Sequence, residues 1–367
     1  MNLLLLTTHL NKGGLSRYVL NLAKGLTQRN HRVVVASGPG EWSREVEAAG
    51  AIFKEIPIRT KSICSPKVIT CFSRLSSLIK EYNIEIIHAN TRVTQCLAYL
   101  LHKGHNIPYV SAFHGFYQPK LSRRLFKFAG MRSIAVSKSV KEHLITDLQI
   151  PAEAIHVVYN GIDSFDSEVK ASLRQSWGFG ENDFLVGMLG RISAEKGHEL
   201  ALEAMMRLFG QFGHLYFLIS GKGKVEEKLK SRVASENLSR RVRFLDCPAG
   251  QFLDSIDVLL APSEKEGFGF SVIEAFAKKV AVIGYNTGGI AEIIEHMHNG
   301  ILFNQYNSLV LADAIEELML KDELRNKLIS QAKEDSYNFT IERMASETDR
   351  VYLECLQLQK EEHDYAD

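Results

Sequence analysis

The chain has 367 residues, of which 45% are hydrophobic and 24% are charged, and its formal net charge is +1. This composition is typical of a soluble globular protein, and the length exceeds one ordinary core and suits two domains. A membrane-spanning helix is excluded, because no stretch reaches the roughly 18 apolar residues that such a helix needs. The opening run Met1–Leu6 is too short for a signal peptide and lacks its basic segment.

Charge is divided unevenly between the two halves of the chain. Residues 1–167 hold 21 Lys and Arg against 11 Asp and Glu, a balance of +10, and the remainder has a balance of −9. The imbalance is either a chance feature of the surface or a sign that the first half faces an anionic partner.

The cysteines favour a reducing compartment, and we expect the protein to be cytoplasmic. Their number is odd, and no pair has the spacing of a metal or redox motif, so free thiols are predicted. The five are Cys64, Cys71, Cys96, Cys247 and Cys355.

Short apolar runs alternate with segments of helical periodicity through the first half. A helix is predicted at 17–26, after a loop that contains Gly13 and Gly14. The glycine pair lacks the spacing of a dinucleotide-binding fingerprint. The alternation predicts a doubly wound parallel sheet. Its predicted strands are 3–6, 31–36, 84–89, 109–113, 133–137 and 156–159.

The second half repeats this alternation after a polar segment, 164–182, which we interpret as a domain linker. It therefore predicts a second α/β domain. An amphipathic helix at 341–359 follows, with Met344, Val351 and Tyr352 on its apolar face. The predicted strands of this half are 184–190, 215–220, 242–245, 258–261 and 280–283.

Residues 262–274 carry the clearest functional signal. They follow an apolar strand and contain a loop with two glycines, and a helix begins near their end. Such a turn collects free backbone N–H groups and suits an anionic or hydroxyl-rich ligand. Glu266 lies in the loop, and Glu274 is expected in the first helical turn, so both carboxylates can face one cleft. Ser271 and Glu274 also fit a capping box, which would give Glu274 a structural role instead.

A second loop brings two cations to the end of a predicted strand. Arg191 lies just past the strand 184–190, and Lys196 follows five residues later. Open α/β sheets bind ligands at the carboxyl ends of their strands. An Arg and a Lys on one loop can clamp a diphosphate, although they can also be solvated surface cations.

Glu266 and Glu274, with seven residues between them, resemble the signature of retaining GT-B glycosyltransferases, most closely glycosyltransferase family four (group 1). The resemblance implies an α/β GT-B fold, in which two Rossmann-like doubly wound domains face a central cleft. Residues 1–165 would form the acceptor-side domain, and 166–340 would bind the nucleotide sugar. The helix at 341–359 would cross back onto the first domain.

The resemblance also implies roles for individual residues. Arg191 and Lys196 would clamp the diphosphate leaving group, Glu266 would bind sugar hydroxyls, and Glu274 would bind the ribose. Further donor-binding positions would be Gly13, Gly14, Gly221, Phe268, Gly269 and Phe270. His114 would contact the donor sugar beside the reacting carbon. A lone His is also compatible with a structural role, as the glycine pair is with a plain turn.

No acidic pair stands out as a metal site, so we expect no metal and no other cofactor. The expected partners are a nucleotide-diphosphate sugar, UDP- or GDP-linked, and a cell-envelope glycan or lipid-linked acceptor, without nucleic acid. Residues 120–128 mix cations with Leu121, Leu125 and Phe128 at helical spacing. They predict either a basic amphipathic helix on an anionic membrane surface or an ordinary helix packed inward. Two rival functions are a GT-B epimerase and a non-catalytic nucleotide-sugar-binding subunit.

Overall fold

The structure is a computed structural model that describes residues 1–58, 60, 62–63, 65–163 and 171–364. The chain divides into two compact units. The first comprises Met1–Asp163 together with the chain from Phe339 onward, and the second extends to Asn338. Among the described residues, no helix combines the length and the apolarity needed to cross a bilayer.

The first unit is built on a seven-stranded parallel sheet with the order β3-β2-β1-β4-β5-β6-β7. The residues of its central strands β4 and β5 are all buried because helices cover both faces of the sheet. The strands are β1 (Asn2–Leu6), β2 (Arg32–Ser37), β3 (Ile52–Glu55), β4 (Ile86–Ala89), β5 (Tyr109–Phe113), β6 (Arg132–Ala135) and β7 (Ile155–Val157). The helices are α1 (Gly14–Gln28), α2 (Ser43–Ala48), α3 (Pro66–Tyr82), α4 (Arg92–His105), α5 (Leu121–Leu125) and α6 (Lys138–Thr146).

The second unit has a six-stranded parallel sheet with the order β10-β9-β8-β11-β12-β13. The strands are β8 (Phe184–Leu189), β9 (Leu215–Ser220), β10 (Val242–Leu245), β11 (Val258–Ala261), β12 (Ala281–Tyr285) and β13 (Ile301–Phe303). The helices are α7 (Ala171–Ser176), α8 (His198–Phe209), α9 (Glu226–Ser235), α10 (Ala249–Leu253), α11 (Phe270–Ala277), α12 (Ile290–Ile293), α13 (Ser308–Leu320) and α14 (Asp322–Ser336). In both units the strand order reverses beside the first strand, which places a topological switch point at β1/β4 and at β8/β11.

The last helix, α15 (Ile341–Asp364), belongs to the first unit and packs against α1. Its apolar face contains Met344, Val351, Tyr352 and Cys355, all of which are buried. A parallel bridge between Ile162 and Thr340 ties the chain just before this helix to the chain that follows β7. The predicted amphipathic helix is therefore present, and it extends a further five residues.

Sequence periodicity missed two edge strands, β3 and β13. Each is short and pairs on one side only, so it needs no long apolar run. The segment 164–182, which was predicted to be an irregular linker, also differs from the prediction. Residues 164–170 lie outside the described part of the chain, and α7 occupies part of the segment that we expected to be irregular. Of the cysteines, Cys64 lies outside the described residues; the free thiols are Cys71, Cys96, Cys247 and Cys355.

Candidate active site

Three loops meet at the carboxyl edge of the second sheet because their strands are neighbours. The order β9-β8-β11 places the loop after β8, with Arg191 and Lys196, between the loops that contain Gly221 and Glu266. In parallel sheets, this edge beside the switch point is the usual place for a ligand. The structure thus brings together the cationic loop and the glutamate loop that the sequence singled out separately.

Glu266 is held by two donors on the same carboxylate oxygen. Lys196 Nζ forms an ion pair with Oε2, and the Ser263 hydroxyl donates to that oxygen at 3.2 Å. Ser263 is buried, whereas the Glu266 side chain keeps 18% of its surface exposed. Because Oε2 receives both bonds, Oε1 is the oxygen left to accept hydrogen bonds from a ligand.

Arg191 is positioned differently from Lys196. Its guanidinium is 71% exposed and lies 4.0 Å from Glu195, an exposed contact that contributes little to stability. The pKa of the Glu195 carboxyl is lowered, chiefly because this group accepts a hydrogen bond from the Glu195 backbone N–H. The positive charges of Arg191 and Lys196 lower it further. The site therefore combines one cation already engaged by Glu266 with one that is available to an anion.

Two glycines allow the loops to approach each other closely. Gly197 has φ +75°, and a Cβ there would lie 2.2 Å from the Pro262 carbonyl oxygen. Gly221 has φ +145°, and a Cβ there would lie 1.8 Å from the Gly190 carbonyl oxygen. No side chain other than hydrogen fits at these contacts. The backbone of the cationic loop is thus packed directly against both neighbouring loops.

The capping-box interpretation of Ser271 and Glu274 is wrong. Helix α11 begins at Phe270 after Gly269, which is the N-cap with φ +115°, and no side chain caps it. Ser271 is therefore already inside the helix. Glu274 is the fifth residue of α11, in the second turn rather than in the expected first turn, and it is buried. Phe268, also buried, precedes the cap.

A small cavity in the second unit gathers these groups. Arg191, Lys196, Ser263, Glu266 and Gly269 line it together with His198, which the sequence analysis did not identify. His198 is the first residue of α8, and burial lowers its pKa to about 4. This imidazole is therefore neutral near pH 7.

The other predicted residues lie in the first unit. Gly13 is the N-cap of α1, and Gly14 is its first residue, with no side-chain cap. His114 follows β5, where its backbone N–H donates to the Tyr117 hydroxyl at 3.1 Å and its Nε2 lies 3.1 Å from Asn90 Oδ1. Burial lowers the pKa of His114 to about 3, so this ring is neutral near pH 7.

His88 lies in the same buried cluster as His114. Its Nδ1 is 2.8 Å from the Tyr352 hydroxyl, and its Nε2 is 3.3 Å from the Tyr18 hydroxyl. Burial lowers the pKa of His88 from 6.5 to about 3, and the nearby His114 contributes to the shift. The cluster links β4 to α1 and α15 through neutral imidazoles and hydroxyls.

The His88→Gln variant is expected to be less sensitive to acid. The unfolded chain binds a proton at His88 near pH 6.5 that the folded chain does not bind until about pH 3, so stability falls as the pH drops through this window. Removing the site should reduce the slope of the free energy of unfolding by about 1.4 kcal/mol per pH unit between pH 6 and 4. Urea unfolding measures the slope. The exposed His214→Gln is the matched control for a His-to-Gln substitution, and equal slopes for the wild type and His88→Gln would contradict the assignment.

The segment 120–128 is neither one continuous helix nor packed inward. The helix α5 ends at Leu125, and Phe128 has φ +47°, so no continuous amphipathic helix forms. Inward packing is also wrong, because Leu121, Leu125 and Phe126 are 71%, 68% and 57% exposed. The Phe128 ring instead contacts Arg92, whose guanidinium carbon lies 4.6 Å from its centroid.

Known protein families match this chain over nearly its whole length. The family model described as Glycosyltransferase Family 4 matches residues 12–164, and the model described as Glycosyl transferases group 1 matches residues 169–335. The chain is similar to the N-acetyl-alpha-D-glucosaminyl L-malate synthase of Bacillus anthracis, with 24% identity over 96% of each protein.

Solved structures show the same fold. A glycosyltransferase from Rickettsia africae is 23% identical and has a TM-score of 0.85, covering 97% of this chain and 98% of its own. HepE of Anabaena, solved in complex with UDP-glucose, is 21% identical with a TM-score of 0.84, covering 95% of this chain and 98% of its own. At these identities the similarity establishes the architecture alone.

Proposed function

Because the chain belongs to the group 1 glycosyltransferases and has their GT-B fold, as its motifs predicted, we propose that it moves a sugar from a nucleotide diphosphate onto a cell-envelope glycan or lipid-linked acceptor with retention of anomeric configuration. It is a transferase. The donor, the stereochemistry and the acceptor are the parts that we propose.

The observation that carries the proposal is the pairing of Lys196 with Glu266 beside the exposed Arg191. The cations suit a diphosphate, whose charge increases as the glycosidic bond breaks. The free oxygen of Glu266 suits the hydroxyls of a sugar. One site thus offers complementary groups to both halves of a nucleotide sugar. We favour UDP as the nucleotide because HepE, which shares the fold, was solved with UDP-glucose.

We propose a same-face displacement for the chemical step. The bond between the anomeric carbon and the phosphate oxygen breaks, and the acceptor oxygen bonds to that carbon on the same face. The acceptor proton passes to the departing phosphate oxygen. Arg191 and Lys196 stabilise the leaving diphosphate, so the mechanism needs no enzyme nucleophile.

Nucleotide release tests the function directly. We would incubate the protein with UDP-, GDP- and ADP-sugars, with and without lipid-linked and small-molecule acceptors, malate included because one relative is an N-acetyl-alpha-D-glucosaminyl L-malate synthase. Nucleotide release that requires an acceptor, with an α-linked product from an α-linked donor, supports the proposal. Free sugar or an epimerised sugar nucleotide would support the epimerase instead. Binding without turnover would support a non-catalytic subunit.

We propose that catalysis is independent of metal ions, since the two cations neutralise the diphosphate charge. Activity should therefore stay within about twofold after chelator treatment and removal of divalent ions. Complete loss that magnesium alone restores would contradict this prediction. Magnesium added to untreated enzyme is the matched control for ionic strength.

We also propose that the segment 120–128 binds an anionic membrane surface, which would bring the enzyme to a lipid-linked acceptor. Exposed Leu121, Leu125 and Phe126 are accompanied by Lys and Arg side chains. Each such cation near an anionic leaflet contributes about 1 kcal/mol.

The double variant Leu121→Ser/Leu125→Ser is therefore expected to bind anionic vesicles at least tenfold more weakly than the wild type, because it loses apolar area at the bilayer surface. Vesicle flotation provides the measurement. Leu353→Ser, which removes a comparably exposed leucine from α15, is the matched control. Equal binding to neutral and anionic vesicles would count against the proposal.

A further inference from the structure

The amide of Asn90 lies between His114 and the end of β1. Asn90 is buried, with 2% of its surface exposed, and directly follows β4. Its Nδ2 donates to the Leu6 carbonyl oxygen at 3.2 Å, and its Oδ1 lies 3.1 Å from His114 Nε2. The Asn90 backbone N–H also donates to the Leu6 carbonyl oxygen, at 3.0 Å, so the backbone and the side chain of Asn90 are anchored to the same atom.

These contacts determine which nitrogen of His114 carries the proton. A carbonyl oxygen can only accept, so the Leu6 contact requires the amide nitrogen of Asn90 and turns Oδ1 towards His114. Oδ1 is also only an acceptor, so His114 Nε2 must donate. A neutral imidazole has one N–H, and Nδ1 of His114 is therefore left with a lone pair.

The surroundings keep the imidazole neutral and its orientation fixed. Burial disfavours the charged form, and the neighbouring His88 is itself held neutral by burial. The Tyr18 ring meets the imidazole edge-on, with 4.5 Å between centroids. The Tyr117 hydroxyl accepts the His114 backbone N–H and fixes the start of the loop.

We propose that Asn90 is a positioning residue that fixes His114 as the Nε2–H tautomer, so that Nδ1 accepts a hydrogen bond from a hydroxyl group of the substrate. The hydroxyl is that of a sugar if the proposed function holds, and this part of the inference rests on it. A neutral lone pair discriminates against a carboxylate or phosphate at the same place, because two acceptors repel each other. It also means that His114 does not serve as a general acid.

The first test reads the tautomer without any substrate. Side-chain ¹⁵N spectra of histidine-labelled protein distinguish protonated from unprotonated ring nitrogens, and the His114→Asn spectrum identifies the His114 signals. We expect a protonated Nε2 and an unprotonated Nδ1 in the wild type at pH 7. Asn90→Asp should keep this tautomer but stabilise the charged ring, so that both nitrogens become protonated at a pH where the wild type is neutral. Asn90→Ala should give mixed tautomers. A wild-type spectrum with a protonated Nδ1, an Asn90→Ala variant that keeps the wild-type tautomer, or an Asn90→Asp ring that stays neutral over the same pH range as the wild type would overturn the proposal.

The second test asks whether the lone pair is used. Asn at position 114 can place its amide oxygen where Nδ1 stands, whereas Gln places its amide nitrogen where Nε2 stands and retains only the Asn90 bond. We expect His114→Asn to keep roughly tenfold more kcat/KM than His114→Gln. Equal losses would overturn the role of Nδ1. If the wild type transfers no sugar at all, the proposed function fails, while the spectra still decide the tautomer. Circular dichroism identifies any variant that does not fold, and Asn90→Asp then replaces Asn90→Ala.

Discussion

Arg191→Ala is expected to lower kcat for sugar transfer by about 10²–10³-fold, the usual effect of removing one preorganised donor to a developing negative charge. The guanidinium is exposed and makes only a long contact with Glu195, so its loss should cost the fold little. Lys196→Ala should be at least as damaging, because it also leaves the partly buried Glu266 carboxylate without its cation.

The matched control for this experiment is Arg240→Ala. Arg240 is exposed and precedes β10, so it lies at the amino edge of the same sheet, away from the three site loops. Wild type and Arg240→Ala should both be stabilised against heat by saturating donor, by about 2.7 kcal/mol at a hundredfold excess over Kd. Arg191→Ala should lose most of this stabilisation. Full activity in Arg191→Ala would remove the diphosphate clamp from the proposal.

Much of the architecture could be predicted because parallel sheets leave a strong pattern. β11 is apolar along its whole length, and so is β1 after Asn2, since helices cover both faces of these strands. The ends of these strands locate the loops that follow them along the sequence, and Arg191 and Glu266 were identified in this way. The edge strand β3 leaves no such pattern, because none of its four residues is fully buried and two of them are charged.

The finer parts of the site could not be predicted, because they depend on contacts between residues distant in the chain. Ser263 was not identified as the donor to Glu266, and neither was Asn90 as the partner of His114. Both residues lie just past the carboxyl end of a strand. This position is the one signal that could have identified them. The prediction for the segment 120–128 failed for a different reason. Its periodicity was helical, but α5 ends at Leu125, and Phe128 beyond it has a positive φ and packs against Arg92.

Gly197→Ala is expected to lower the free energy of unfolding by about 3 kcal/mol or more and to reduce activity at least a hundredfold. The new Cβ would lie 2.2 Å from the Pro262 carbonyl oxygen at a φ of +75°, so both overpacking and backbone strain contribute. The strain can be relieved only by separating the cationic loop from the loop that carries Glu266, which would break the Lys196–Glu266 ion pair.

Gly210→Ala is the matched control, because Gly210 ends the same helix, α8, with φ −71°, and a methyl group added there would have no atom of the described residues within 4 Å. That change should be neutral or stabilising by about 0.4–1 kcal/mol. Denaturant unfolding and kcat/KM together decide the matter. If Gly197→Ala were as stable and as active as Gly210→Ala, close packing of the two loops would not be what holds the cation and the carboxylate together.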